Sequence, residues 1–236
     1  MDESVATPGA VVDRGSVFDD AWHLFLGAEC PGCARPGRTV CRSCRAAMAP
    51  EPVVLRPDPV PDGICVTGAR EYDDVVRRVI IAWKDGRRHL DAVLGRLLAC
   101  AVAATLTAVD PDRPVLIVPV PTTRRSRRER GVDLVGVAAR TAARDLADTG
   151  WETRVRRALT LVREPADQAG LDAAGRRANL VGAMRASSPA GKRGSDPFVV
   201  VVDDVVTTGS TVGEATRALA DGGWSVDAIA AIAAVP

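Results

Sequence analysis

Aromatic residues make up only 3% of this 236-residue chain. A core so poor in rings must be built from Val, Ala, Leu and Ile, and an apolar share of 47% supplies them. Lysine is scarcer still. Lys84 and Lys192 are the only two, and the other basic side chains are arginines. A coding bias of the genome accounts for that, and so does a need for planar donor forks that grip phosphate. An excess of one charge is missing too. Lys and Arg number 31, Asp and Glu 30, and the formal net charge is +1. No global field therefore draws the chain to nucleic acid or membrane. No unbroken run of about 18 apolar residues occurs, which argues against membrane insertion. The start, MDESVATPGA, lacks the basic and apolar regions of a signal peptide. A cytoplasmic location is expected, where six cysteines are metal ligands or buried thiols before they are disulfides. His23 and His89 have no Cys or Ser partner that would suggest a nucleophile.

The length suits one α/β domain with a small appendage. Residues 1–15 read as a disordered tail, and 16–29 as a short helix. Residues 16–49 form a cysteine module. Five prolines in 50–63 make an extended linker, and the domain boundary falls there. Residues 64–236 alternate as an α/β domain does. Strands are expected at 64–69, 115–120, 198–202 and within 224–235. Helices are expected at 71–85, 89–108, 132–148 and 211–221. The run TTRRSRRERG reads as a loop. The expected fold is a parallel sheet flanked by helices.

Cysteines 30, 33, 41 and 44 form two C-x-x-C pairs separated by seven residues. Two thiolate pairs on tight knuckles suit a tetrahedral zinc ion, and four protein ligands leave no place for water, so the zinc would be structural. On spacing alone, disulfides, an iron–sulfur cluster and a metal-free fold stay open. Cys65 and Cys100 lie in apolar contexts and read as buried thiols.

The strongest pattern is VVVVDDVVTTGST at 199–211: a buried strand, Asp203-Asp204, a turn, then a helix. The unpaired N–H groups of a helix start carry partial positive charge and suit a phosphate. Gly209 lets the backbone wrap closely, and Thr207, Thr208, Ser210 and Thr211 add hydroxyl donors. Two carboxylates at the C-terminal edge of a sheet can accept from two neighbouring ribose hydroxyls, and they raise affinity for Mg²⁺. An ordinary capped strand–turn–helix is the bland alternative. No Walker A loop and no G-x-G-x-x-G occurs.

A second pattern lies at 118–134, where Arg124, Arg125, Arg127, Arg128 and Arg130 crowd between a strand and a helix. Like charges at that density repel unless an anion joins them, and pyrophosphate is such an anion. A solvated charge run and a nucleic-acid backbone site are the alternatives. No aromatic stands nearby in sequence to stack a single-stranded base.

The run 199–211 matches the 5-phosphoribosyl pyrophosphate (PRPP) signature of type I phosphoribosyltransferases at every position. From Cys30 to the C-terminus the chain resembles the ComF family, the phosphoribosyltransferase-like proteins linked to bacterial competence. The resemblance rests on several elements in order. These are the four cysteines, Trp83-Lys84-Asp85-Gly86, Pro119-Val120-Pro121 through Arg130-Gly131, Asp167 to Leu171, Arg176 to Leu180, and the run 199–211. One departure is Val132-Asp133-Leu134, where the family usually carries Phe-Asn-Gln.

The resemblance implies a type I phosphoribosyltransferase-like fold and transfer of the phosphoribosyl group to a nitrogenous acceptor. It assigns Asp203 and Asp204 to the ribose and Val205, Thr207, Thr208, Gly209, Ser210 and Thr211 to the 5-phosphate. Lys84, Arg124, Arg125, Arg128, Arg130 and Gly131 would meet pyrophosphate and its Mg²⁺. Residues 163–185 would be a closing loop, with Gln168, Arg176, Arg177 and Asn179 approaching the ligand; a plain surface helix is the other reading of 172–180. The competing class is a non-catalytic protein of DNA uptake that binds single-stranded DNA or a competence protein.

Overall fold

The computed structural model describes residues 29–37, 39–164, 175, 179–189 and 196–236. The expected tail, and nearly all of the expected helix at 16–29, lie outside the described residues. The chain is a mixed α/β protein. Its central sheet holds β1 (Val53–Leu55), β2 (Cys65–Gly68), β3 (Val115–Pro119), β4 (Thr153–Val155), β7 (Phe198–Val206) and β8 (Ala228–Ala234). Their order is β1-β2-β8-β7-β3-β4. Only β1 runs antiparallel to its neighbour; the other pairs are parallel. A separate antiparallel pair joins β5 (Leu159–Leu161) to β6 (Met184–Ala186), and a short helix α1 (Arg42–Ala47) precedes the sheet.

The central strands are valine- and alanine-rich because both faces are covered. Every residue of β3 and β8 is buried. On one face, Val200, Val202, Ala228, Ala230 and Ile232 pack with α2 (Asp74–Lys84), α3 (Asp91–Val109) and α5 (Leu134–Asp148). On the other, Val199, Val201, Ile229 and Ala231 pack with α6 (Ser210–Asp221) and the β5–β6 pair. The switch of face at each step along β7 and β8 is the period-2 signature of a strand.

Helix α2 starts where Asp73 accepts a hydrogen bond from the Val76 amide at 2.9 Å. It buries Val76, Val79, Ile80 and Trp83. The span Arg88–Val109, which contains α3, is long and apolar enough to cross a bilayer, and half of its most apolar window is buried inside the fold. Arg96 interrupts the run of apolar letters but not the helix. Here the apolar face meets α5 closely: a Cβ on Gly95 would come within 2.5 Å of Thr141.

Two sequence expectations change. The run after β3 is a helix, α4 (Arg124–Arg130), not a loop. Arginine favours helix, Thr123 caps the start by accepting from the Ser126 amide at 3.1 Å, and Gly131 ends it at φ +69°. The proline-rich stretch is not a free spacer. It supplies the edge strand β1, and Pro57 and Pro59 then pack against the start of α6.

Candidate functional site

Strand β7 continues past Val202, so Asp203 and Asp204 lie within it, near its C-terminal end. Asp203 is buried, and its Oδ1 accepts from the Asp204 amide at 2.8 Å. Burial, and next the charge of Asp204, push its carboxyl up to about 8. Asp204 pairs with Lys84, whose Nζ lies 2.6 Å from Oδ2. Burial opposes the Lys84 charge, but the two aspartates outweigh it and hold its pKa above the ordinary value.

The turn Thr207–Gly209 follows. Gly209 has φ +74°, a left-handed backbone that favours glycine. A Cβ there would also meet Pro57 at 2.5 Å. The first main-chain bond back along α6 runs from the Gly213 amide to the Gly209 carbonyl at 2.7 Å. Among the described residues, no protein group takes the amides of Thr207, Thr208 or Gly209. Thr207, Thr208, Gly209, Ser210 and Thr211 line a small pocket of about 50 Å³, and the Thr208 and Ser210 hydroxyls bond each other at 2.9 Å. The start of α6 thus offers donors to an anion.

A larger cleft of about 740 Å³ opens beside it. Asp203, Asp204, Val205, Thr207 and Thr211 form one wall, and Lys84, Arg125 and Arg130 also line it. The start of α6, a carboxylate pair and arginines therefore line adjoining pockets, although they come from distant parts of the chain.

The four cysteines converge as well. Their sulfurs all lie within 4.8 Å of one another, and Cys33 Sγ is 3.6 Å from Cys41 Sγ. The Cys41 amide donates to Cys30 Sγ at 3.3 Å. The Cys44 amide pulls the Cys41 thiol down to about 7, whereas burial pushes Cys44 up to about 12. Four such sulfurs cannot all be thiolates near neutral pH without a cation. Their spacing fits a tetrahedral ion with metal–sulfur bonds of about 2.3 Å, so the cluster can hold a structural metal such as zinc. The module is bound to the rest of the fold. Arg78 donates to the Gly32 carbonyl at 2.7 Å, and Cys30, Val40, Cys44 and Met48 join the main core.

No family model matches the chain. It is 30% identical over 203 residues to the DNA utilization protein YhgH of Escherichia coli strain K12, covering 84% of this chain and 85% of that protein. It is 33% identical over 206 residues to competence protein F of Haemophilus influenzae, covering 84% of this chain and 86% of that protein. The chain belongs to the ComF family.

In this ComF-family chain the cleft collects Lys84, Arg125, Arg130, Asp203, Asp204, Val205, Thr207 and Thr211. Thr208, Gly209 and Ser210 line the adjoining small pocket. Arg128 and Gly131 are not in either lining. The side chain of Arg124 and the residues Gln168, Arg176 and Arg177 lie outside the described residues. Asn179 is described; its carbonyl accepts from Arg163 at 2.8 Å, and it is not in the cleft lining.

Sequence reasoning missed three participants. Tyr72, the chain's single tyrosine, lines the cleft although it lies far from the arginines in sequence. Glu164 lines it too, and accepts from the Arg125 amide at 2.9 Å. Glu214 is buried in α6 and accepts from the Met184 amide at 2.9 Å, so it ties α6 to β6. Burial pushes its carboxyl up, but Arg217 together with the main-chain bonds at Met184 and Gly182 holds it below the ordinary value. Asp133, the departure from the family pattern, caps α5 at the Gly136 amide (3.1 Å) and pairs with Arg157 at 3.0 Å.

Proposed function

We propose that this chain serves DNA utilisation or competence, as the names of its relatives say of them, and that its cleft is a PRPP-type site within a phosphoribosyltransferase-like fold. One observation carries the site reading. Residues of a helix start whose amides no described group takes, a carboxylate pair and arginines line adjoining pockets.

In this reading Thr207 to Thr211 hold the 5-phosphate, and Asp203 and Asp204 accept from the ribose hydroxyls. Arg125, Arg130 and Lys84, which line the cleft, neutralise pyrophosphate. Asp203 and Asp204 would also hold Mg²⁺ carried by the ligand, which adds positive charge beside the leaving group. The four cysteines hold zinc, in a purely structural role.

Two further readings share this site. A chain that transfers the phosphoribosyl group would stabilise positive charge on the sugar ring with the same carboxylates. A chain that binds DNA would use the α4 arginines on backbone phosphates, and Tyr72 supplies the aromatic face that the local sequence lacks. The names of the relatives favour the DNA role over turnover.

Fluorescence anisotropy with a labelled single-stranded oligonucleotide separates these readings. Salt-sensitive binding that Mg²⁺–PRPP displaces is the expected result, because both anions need the same arginines. Binding that PRPP leaves unchanged would move DNA to another surface. No binding of the oligonucleotide, together with pyrophosphate release in the presence of a nitrogenous base, would favour the transferase instead.

A further inference from the structure

Lys84 is the only lysine among the described residues of a chain that otherwise uses arginine. It ends α2, whose buried Val76, Val79, Ile80 and Trp83 fix the helix in the core. Trp83 is itself held, because its Nε1 donates to Asp91 Oδ1 at 2.7 Å. The ammonium is therefore delivered to Asp204 from a rigid base. The Lys84–Asp204 contact is 2.6 Å, and both side chains are largely covered.

The choice of lysine matters. Arginine presents a broad fork that seeks two acceptors, whereas lysine is a compact point charge. A compact charge on one carboxylate oxygen occupies the same kind of position as a small metal ion. Asp203 lies next to it, and Arg125, paired with Glu129 at 2.9 Å, and Arg130 line the same cleft.

We propose that Lys84 is the resident counter-ion of the Asp203–Asp204 pair. It excludes free divalent metal, and it releases Asp204 only to a ligand that brings both its own metal and an anionic group for the ammonium. Lys84 is then a specificity-determining residue: ribose 5-phosphate, which has no pyrophosphate, leaves the ion pair closed. The statement about the ligand rests on the PRPP reading above. The statement about metal exclusion does not.

The test is a Mn²⁺ titration of the full chain without PRPP, followed by electron paramagnetic resonance of the free ion. Wild type should bind Mn²⁺ weakly. Lys84→Met should bind it about tenfold more tightly or better, since an opposing charge at contact distance is gone. Lys84→Arg keeps the charge and should stay near wild type. Adding Asp204→Asn to Lys84→Met should abolish the gain, which locates it at this pair. Circular dichroism checks folding, and Lys84→Gln replaces the Met variant if that one fails to fold. A folded, uncharged variant with unchanged Mn²⁺ affinity would overturn the proposal. A gain in Mn²⁺ affinity without any PRPP binding by wild type would keep the counter-ion role and remove the sugar-phosphate reading.

Discussion

Replacing both Asp203 and Asp204 with Asn should weaken PRPP binding by about 100-fold or more in calorimetry. A hydrogen bond to a charged group contributes about 1.5–3 kcal/mol, and at pH 9, where Asp203 is ionised, the variant weakens at least two of them. Asparagine keeps the shape and most of the packing, so the loss reports charge rather than collapse. Asp203→Asn alone has a second consequence. In the folded chain burial raises the Asp203 carboxyl to about 8, far above its ordinary value. Between the ordinary value and about 8, the folded state keeps a proton that the unfolded state gives up. Stability therefore falls as pH rises through that window and levels off above it. Asparagine has no proton to lose. The thermal midpoint of Asp203→Asn should exceed that of wild type by a margin that widens from pH 5 to pH 8. A margin that stays constant with pH would show that Asp203 is ionised in the folded chain throughout. A site residue that costs stability is the expected sign of function.

Stripping metal from the cysteine cluster should have the other large effect. A chelator, or Cys44→Ser, should lower the thermal midpoint by about 10 °C or more, equivalent to roughly 3–5 kcal/mol in a domain of this size. The reason lies in packing. Cys30, Val40, Cys44 and Met48 are buried in the same core cluster as the α2 residues Val76 and Val79. Gly32 lies so close that an added Cβ would come within 2.7 Å of Cys44 Sγ. Loosening the sulfurs therefore disturbs a wall of the domain. A chelated chain that melts at the wild-type temperature would mean that the cluster is held by packing and hydrogen bonds without an ion.

The site was legible in the sequence where its signal is local. The run from Val199 to Thr211 carries its strand, carboxylates, turn and helix start in one contiguous segment, so reading it needs no tertiary knowledge. The same holds for the C-x-x-C pairs, whose spacing already brings four sulfurs together. Legibility failed where a neighbour decides. Arg124–Arg130 looked like a loop because its charge density dominates the pattern, yet Thr123 and Gly131 supply both ends of a helix. Residues 50–63 looked like a spacer because of their prolines, yet Val53–Leu55 pairs with Val66–Gly68, and Pro57 closes on Gly209. Tyr72 carried no signal at all. Its place in the cleft follows from its amide bonding to the Ala234 carbonyl at 2.8 Å, beside the end of a strand more than 150 residues away. Glu214 likewise reads as an exposed helix glutamate until Met184 and Arg217 enclose it.

Hydrogen–deuterium exchange with and without Mg²⁺–PRPP tests the cradle itself. The amides of Thr207, Thr208 and Gly209 have no acceptor among the described residues, so they should exchange quickly in the free chain. Saturating PRPP should slow the peptide that contains residues 207–212 more than any other, because the 5-phosphate accepts from those amides. Unchanged exchange in that peptide, with PRPP bound elsewhere or not bound at all, would contradict the account.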